Sequence, residues 1–264
     1  MIFSQTDLQT LCHLAEQAGE QIMDVYRHGG QTWQKDDASP LTEADLRADR
    51  VIRQGLEQHF PNVFILSEES TSANPQTHAT FFLVDPLDGT KEFLKRNDEF
   101  TVNIALVHQG RPIAGVVLAP ARDELFYASQ TLGAWKRDAT SLRAICTSPA
   151  TAPSPLRVIG SRSHGTQALD AWLQRLATPH HFLAAGSSLK FCRIAEGLAD
   201  VYPRFGPTSQ WDTAAAQAVL EAAGGVVTDL NAHPLRYGLD QPILNPHFVA
   251  AASRDLLTHI HHHP

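Results

Sequence analysis

The chain has 264 residues and a formal net charge of −7, with 43% of its residues apolar and 19% charged. That balance supports a sizeable core and excludes wholesale disorder, while the acidic sum argues against a general nucleic-acid binder. No apolar run approaches the ~18 residues of a membrane span, and an opening stretch without a basic cluster does not read as a signal peptide. The expected compartment is the cytoplasm. Cys12, Cys146 and Cys192 are widely spaced and form no C-x-x-C pair, so they read as buried free thiols rather than a zinc site or disulfide framework.

Residues 7–28 place Leu8, Leu11, Ala15, Ala18, Ile22 and Val25 on one helical face, with Gly29-Gly30 as the stop. A second helix is expected over 42–59, with Ala48, Val51, Ile52 and Leu56 inward and Pro61 ending it. The period then changes. Residues 63–66 and 81–84 read as buried strands, and 101–108, 113–118, 124–128 and 134–137 as an antiparallel meander. Three prolines within 147–155 break the composition. This stretch is read as a linker between a subdomain over 1–150 and a second over 156–264. Beyond it, strands and helices alternate: strands at 156–160, 182–185, 200–202, 226–229 and 248–251, helices at 167–176, 189–196 and 213–223. The predicted class is α/β, two sheets covered by helices. The tail with His259, His261, His262 and His263 has a metal-binding composition, but a frayed terminus is the expectation.

Chemistry concentrates in carboxylates. A buried strand runs into Asp85; Pro86 turns the chain, and Asp88 follows three residues later. Two acids beside one turn repel unless a cation lies between them, and hard oxygen ligands suit Mg²⁺ better than zinc. Gly89 permits close approach of a phosphate to backbone. The same residues also fit an ordinary turn. The preceding strand ends in Glu68-Glu69, and neighbouring strands ending in acids can build one cluster. Asp212 opens an apolar helix, where a plain N-cap is equally natural. Thr42 and Asp45 have capping-box spacing, which needs no chemistry.

Taken in order, Thr42-x-x-Asp45, Glu68-Glu69, Asp85-Pro86-Leu87-Asp88-Gly89-Thr90 and Trp211-Asp212-Thr213 resemble the inositol monophosphatase superfamily, over roughly residues 35–248. The stretches DPLDGTKEFLKRNDEFTVNIALV, Ser161-Arg162-Ser163-His164, GSSLKF, YPRFGPT and Leu244-Asn245-Pro246 are similar to its CysQ-type 3′(2′),5′-bisphosphate nucleotidase branch. Ala216 stands where relatives often have Gly. The resemblance implies an alternating αβαβα sandwich and a lithium-sensitive phosphatase using two Mg²⁺ ions, with a third joining in turnover. The implied reaction removes the 3′-phosphate of adenosine 3′,5′-bisphosphate (PAP) to give AMP, with 3′-phosphoadenosine 5′-phosphosulfate (PAPS) as a second substrate.

The same resemblance implies that Glu68, Asp85, the Leu87 carbonyl, Asp88 and Asp212 hold the ions. It assigns Asp45, Glu68 and Thr90 to activating water, and the Gly89 and Thr90 amides to the scissile phosphate. Ser161, Arg162, His164, Lys190 and Arg204 are the further substrate candidates; Lys190 is preferred for the 5′-phosphate because it lies at a helix start. Membership leaves monomer and homodimer open, and admits peripheral contact with the inner membrane face. Two alternatives stand: an inositol or sugar-phosphate phosphatase on the same scaffold, disfavoured by the SSLKF and YPRFGPT segments, and a non-catalytic metal- or nucleotide-binding regulator.

Overall fold

A computed structural model describes residues 3–35, 38–70, 78–148, 155–161, 167–176 and 178–262. Helix α1 (Gln5–His28) starts at Ser4, whose hydroxyl accepts the Asp7 amide while the Asp7 carboxylate accepts the Ser4 amide. The predicted apolar face is buried. Gly29 stops the helix at a φ of 84°, in the left-handed region that favours glycine. An antiparallel ribbon follows, β1 (Thr32–Gln34) with β2 (Pro40–Thr42); strands of three residues are too short to display a period. Helix α2 (Glu43–His59) then begins at the Thr42 cap.

Seven strands form the first sheet: β3 (Phe64–Ser67), β4 (Thr80–Asp88), β5 (Thr101–His108), β6 (Arg111–Ala119), β7 (Glu124–Ser129), β8 (Gly133–Arg137) and β9 (Leu142–Ala144), ordered as in the chain. Only β3 and β4 run parallel; every other neighbouring pair is antiparallel, as the meander predicted. A short helix, α3 (Thr90–Lys95), joins β4 to β5. The second half alternates β10 (Leu156–Ser161), α4 (Gln167–Arg175), β11 (His180–Ala185), α5 (Leu189–Ala195), β12 (Val201–Arg204), α6 (Ala214–Ala222), β13 (Val226–Asp229), β14 (Phe248–Ala251) and α7 (Arg254–His262). Its five strands are ordered β11-β10-β12-β14-β13.

Helices α1 and α2 cover one face of the large sheet, where Leu11, Ile22, Ile52 and Leu56 meet Phe82, Ile104 and Leu106. Helices α5 and α6 fill the space between the sheets, and α7 packs on β14. The order of layers is therefore αβαβα. Gly115 on β6 explains how closely α6 approaches: a Cβ there would stand 2.2 Å from the Ala215 carbonyl. A core cluster containing Leu83, Val117, Ala215, Val201 and Phe248 runs from one sheet to the other.

Three expectations change. The strand read as ending at Asp85 continues to Asp88 through a register shift between those residues, and that bulge lets Pro86 remain although it has no N–H to pair. The tail is helical to His262, because Leu256, Leu257 and Ile260 bury an apolar face. The three thiols are free, but only Cys192 is buried; Cys12 is half-buried and Cys146 exposed. Most of the proline-rich linker, 149–154, lies outside the described residues. Among the described residues, no helix is long and apolar enough to cross a membrane.

Candidate active site

Parallel pairing of β3 with β4 sets Ser67 opposite Val84, and the Glu68 amide donates to the Val84 carbonyl at 3.1 Å. Glu68 thereby emerges beside Asp85. Within the bulge, Asp85 Oδ1 accepts the Leu87 amide at 3.0 Å, a side-chain-to-backbone bond two residues on that fixes the local kink. The Thr90 hydroxyl lies 3.3 Å from the Leu87 carbonyl and 3.3 Å from Asp45 Oδ1. Gly89 makes the corner at φ 91°, and a Cβ there would stand 3.3 Å from the Glu99 carbonyl; both facts demand glycine.

Asp45 does two things at once. Its Oδ2 accepts the Thr42 amide at 2.8 Å and the Thr42 hydroxyl at 2.6 Å, completing the capping box, while Oδ1 faces Thr90. The structural and chemical readings of Thr42-x-x-Asp45 are both geometrically available, because a carboxylate has two oxygens. Asp212 is not an N-cap. Helix α6 is preceded by Thr213 without a side-chain cap bond, and Asp212 Oδ2 accepts the Ser209 amide at 2.8 Å.

The second half of the chain closes the site through Ser188. Its hydroxyl is 3.0 Å from Asp88 Oδ2 and 2.7 Å from the Asp212 carbonyl, and Asn103 on β5 reaches Ser188 Oγ at 2.9 Å. Lys190 is buried, with Nζ donating to the Ser187 carbonyl at 2.5 Å and lying 5.4 Å from the Tyr202 ring centre. Arg204 is held by Thr208 Oγ1 at 2.7 Å and the Pro207 carbonyl at 2.9 Å.

A cavity of about 380 Å³ joins these groups, lined by Glu68, Asp85, Leu87, Asp88, Gly89, Thr90, Ser161, Lys190, Arg204 and Asp212. Asp45 stands behind Thr90. Arg162 and His164 lie outside the described residues. Sequence reading passed over Lys35, whose Nζ is 2.7 Å from both Glu68 Oε1 and Glu69 Oε1. It also missed the hydroxyl and amide brackets of Ser188 and Asn103. Lone polar residues in apolar strands or at helix starts carry no spacing signal.

Electrostatically the site is overloaded with negative charge. Burial pushes Asp85 well above the usual carboxylate range, and the charges of Glu68, Asp88 and Asp212 push it further. Asp212 is raised by burial and by Asp88 and Glu68. Burial raises Asp88 as well, against the pull of Lys190, and raises Asp45 to about 6. Burial lowers Lys190 to about 8 although Asp88 opposes that shift. Desolvation and like-charge repulsion thus act together on the acids, and a bound cation relieves both.

Among the described residues, no three carboxylate, histidine or cysteine side chains stand in a ready ligand shell; Glu68 is turned to Lys35 and Asp212 to the Ser209 amide. The donor chemistry nevertheless fits a hard divalent ion, with oxygens only, buried and in excess of neutralising cations.

Carboxylates at the ends of two parallel strands, joined across a cavity by an aspartate before an inter-sheet helix, define a class that comparison makes explicit. The chain belongs to the inositol monophosphatase family, whose family model matches residues 4–263. One relative, the 3′(2′),5′-bisphosphate nucleotidase CysQ of Salmonella typhimurium, is 46% identical over 246 residues, covering 91% of this chain and 98% of that protein. Among solved structures, CysQ from Bacteroides thetaiotaomicron superposes with a TM-score of 0.84 at 36% identity, covering 96% of this chain and 99% of that one. An inositol monophosphatase from Anabaena superposes with a TM-score of 0.77 at 27% identity, covering 97% and 95%.

Proposed function

We propose that the protein is a Mg²⁺-dependent 3′(2′),5′-bisphosphate nucleotidase that hydrolyses the 3′-phosphate of adenosine 3′,5′-bisphosphate, with 3′-phosphoadenosine 5′-phosphosulfate as a second substrate and the cytoplasm as its compartment. The observation that carries the reading is the under-neutralised group of acids at the cavity, buried Asp85 with half-buried Asp88 and Asp212, in a chain 46% identical to a nucleotidase over most of its length.

Glu68, Asp85, the Leu87 carbonyl, Asp88 and Asp212 would hold two ions. When bound, such ions lower the pKa of water and neutralise charge on a leaving oxygen. The chain's own groups do the rest. Water's oxygen bonds to phosphorus as the bond to the 3′-oxygen breaks; the 3′-oxygen leaves as an alcohol with a proton drawn from solvent, to which Asp45 returns the one it accepts from the attacking water. Thr90, bracketed by Asp45 Oδ1 and the Leu87 carbonyl, orients the water, and Asp45 accepts its proton through Thr90. A carboxyl raised to about 6 is better matched to that work near neutrality than an ordinary one. The Gly89 and Thr90 amides point at the phosphate. Lys190, the residue preferred from sequence for the 5′-phosphate, is buried with Nζ on the Ser187 carbonyl, so in this reading it supplies positive charge beneath the cavity and Arg204 is instead the more outward cation for the 5′-phosphate. In this reading the part over 1–150 supplies Asp45, Glu68, Asp85 and Asp88, and the part over 156–264 supplies Asp212.

The test is phosphate release from adenosine 3′,5′-bisphosphate and from inositol 1-phosphate, each with Mg²⁺ and with EDTA. The expected outcome is fast, EDTA-sensitive release from the nucleotide. Preference for inositol 1-phosphate would keep the catalytic residues and overturn the substrate. No release from either would leave a binding role.

A further inference from the structure

The cavity is chemically divided. Its inner end holds Asp85, Asp88 and Asp212, while its rim carries Leu244 and Pro207. Leu244 is 55% exposed, which alone means little, but it is rigidly placed. It bridges Ser209 in antiparallel fashion, between a Gln210 amide donating to the Ile243 carbonyl at 2.8 Å and an Asn245 amide donating to the Thr208 carbonyl at 2.9 Å. The Asn245 side chain adds bonds to the Ser209 carbonyl at 2.8 Å and Thr213 Oγ1 at 3.0 Å. Ser209 in turn holds Asp212. Leu244 therefore stands one strand spacing, about 5 Å, from the loop that presents Asp212.

A backbone brace that fixes an aliphatic side chain at the mouth of an otherwise polar cavity offers an apolar face at a set distance from the acids. A nucleoside 3′,5′-bisphosphate has the same division: anionic phosphates, then a flat ring whose faces are poorly hydrated, one ribose away. An inositol or sugar phosphate has no such ring.

We propose that Leu244, with Pro207 beside it, is the face on which the substrate's purine rests, and that Leu244 sets the preference for nucleotides over base-free sugar bisphosphates. The backbone and side-chain nitrogens of Asn245 are committed to the brace, so its role is to hold Leu244. This inference rests on the nucleotidase reading above.

The experiment measures kcat and KM of the wild type, Leu244→Ala and Leu244→Phe with Mg²⁺ on adenosine 3′,5′-bisphosphate and on ribose 3,5-bisphosphate. Leu244→Ala is expected to lower the ratio of the two kcat/KM values about fivefold, chiefly through KM for the nucleotide, since a half-exposed contact contributes less than an enclosed one. Leu244→Phe, which keeps an apolar face, restores the ratio. An unchanged ratio in Leu244→Ala, equal losses on both substrates, or a Leu244→Phe ratio as low as that of Leu244→Ala would each overturn the proposal. Wild type inactive on the nucleotide would overturn the nucleotidase reading together with it; nucleotide turnover with an unchanged ratio would overturn only the role of Leu244.

Discussion

Two groups of charge are reached by side chains of α5, Arg193 in one and Lys190 in the other, and they are built on opposite principles. In one, Lys136 Nζ is 2.5 Å from Glu124 Oε1 and 2.8 Å from Glu196 Oε2, and Arg193 reaches both glutamates. Two acids meet these two bases across β7, β8 and α5, and the more exposed Arg143 on β9 also reaches Glu196 Oε2, at 3.5 Å. Burial opposes the Glu124 charge, but Arg193 and Lys136 outweigh it and hold that carboxyl down at about 2. In the other, reached by Lys190 on the same helix, acids outnumber their cations and burial and mutual repulsion raise Asp45, Asp85, Asp88 and Asp212. The balanced group is complete in itself and serves to lock α5 to the large sheet. The unbalanced group is a liability until something positive joins it, which is the property expected of a cation site and not of a structural one.

The sharpest way to break this contrast is to remove one acid from each group. Asp85→Asn should lower phosphatase kcat/KM by about 10³-fold or more, while a melt of the metal-free protein shows stability retained or raised, because a repelled buried charge is gone. Mg²⁺ should raise the melting temperature of the wild type and leave that of Asp85→Asn nearly unmoved. Glu124→Gln should behave in the reverse sense. It strands Lys136 and Arg193 and should cost about 3 kcal/mol in urea unfolding.

The pH dependence sharpens the same comparison. Folded Glu124 keeps its charge down to about 2, against an ordinary value of 4.5, so its share of stability is present above 4.5 and is lost as pH falls toward 2. Folded Asp45 keeps its proton up to about 6, against an ordinary 3.8. The metal-free folded state therefore binds more protons than the unfolded one between those values, and stability falls as pH rises through that window, by up to ~3 kcal/mol. Urea midpoints of the metal-free protein taken above the range in which Glu124 titrates, from 4.5 to about pH 7, should show the decline in the wild type and a weaker one in Asp45→Asn. The smallest effect belongs to an exposed pair: Arg53→Ala removes the 3.2 Å contact with Glu57 and should move stability by less than about 0.5 kcal/mol.

Much of this site was legible in the linear chain, for identifiable reasons. Glu68 and Asp85 end two short apolar runs, and once such runs pair in parallel their following acids must meet. The helices α1 and α2 announced themselves by a 3.6-residue period, and α2 also by the capping-box spacing of Thr42 and Asp45. Lys190 was legible as a cation near a helix start; its burial against the Ser187 carbonyl and the Tyr202 ring was not, since a lysine in sequence carries no mark of depth. Asp212 by its position fitted an N-cap as well as a metal-site acid, because the two occupy the same place before a helix, and its bond to the Ser209 amide separates them.

The amino-acid sequence by itself determined the elements with a long period, the antiparallel meander, and the order of the acids, since each depends on neighbours within a few residues. Tertiary structure alone decided which charges are compensated. Glu124 opens β7 and Asp85 lies within β4; one finds Arg193, 69 residues away, and the other finds Asp212 across the cavity. Coulomb interactions act through space over a few ångströms, and distance along the chain says nothing about them until the layers have packed.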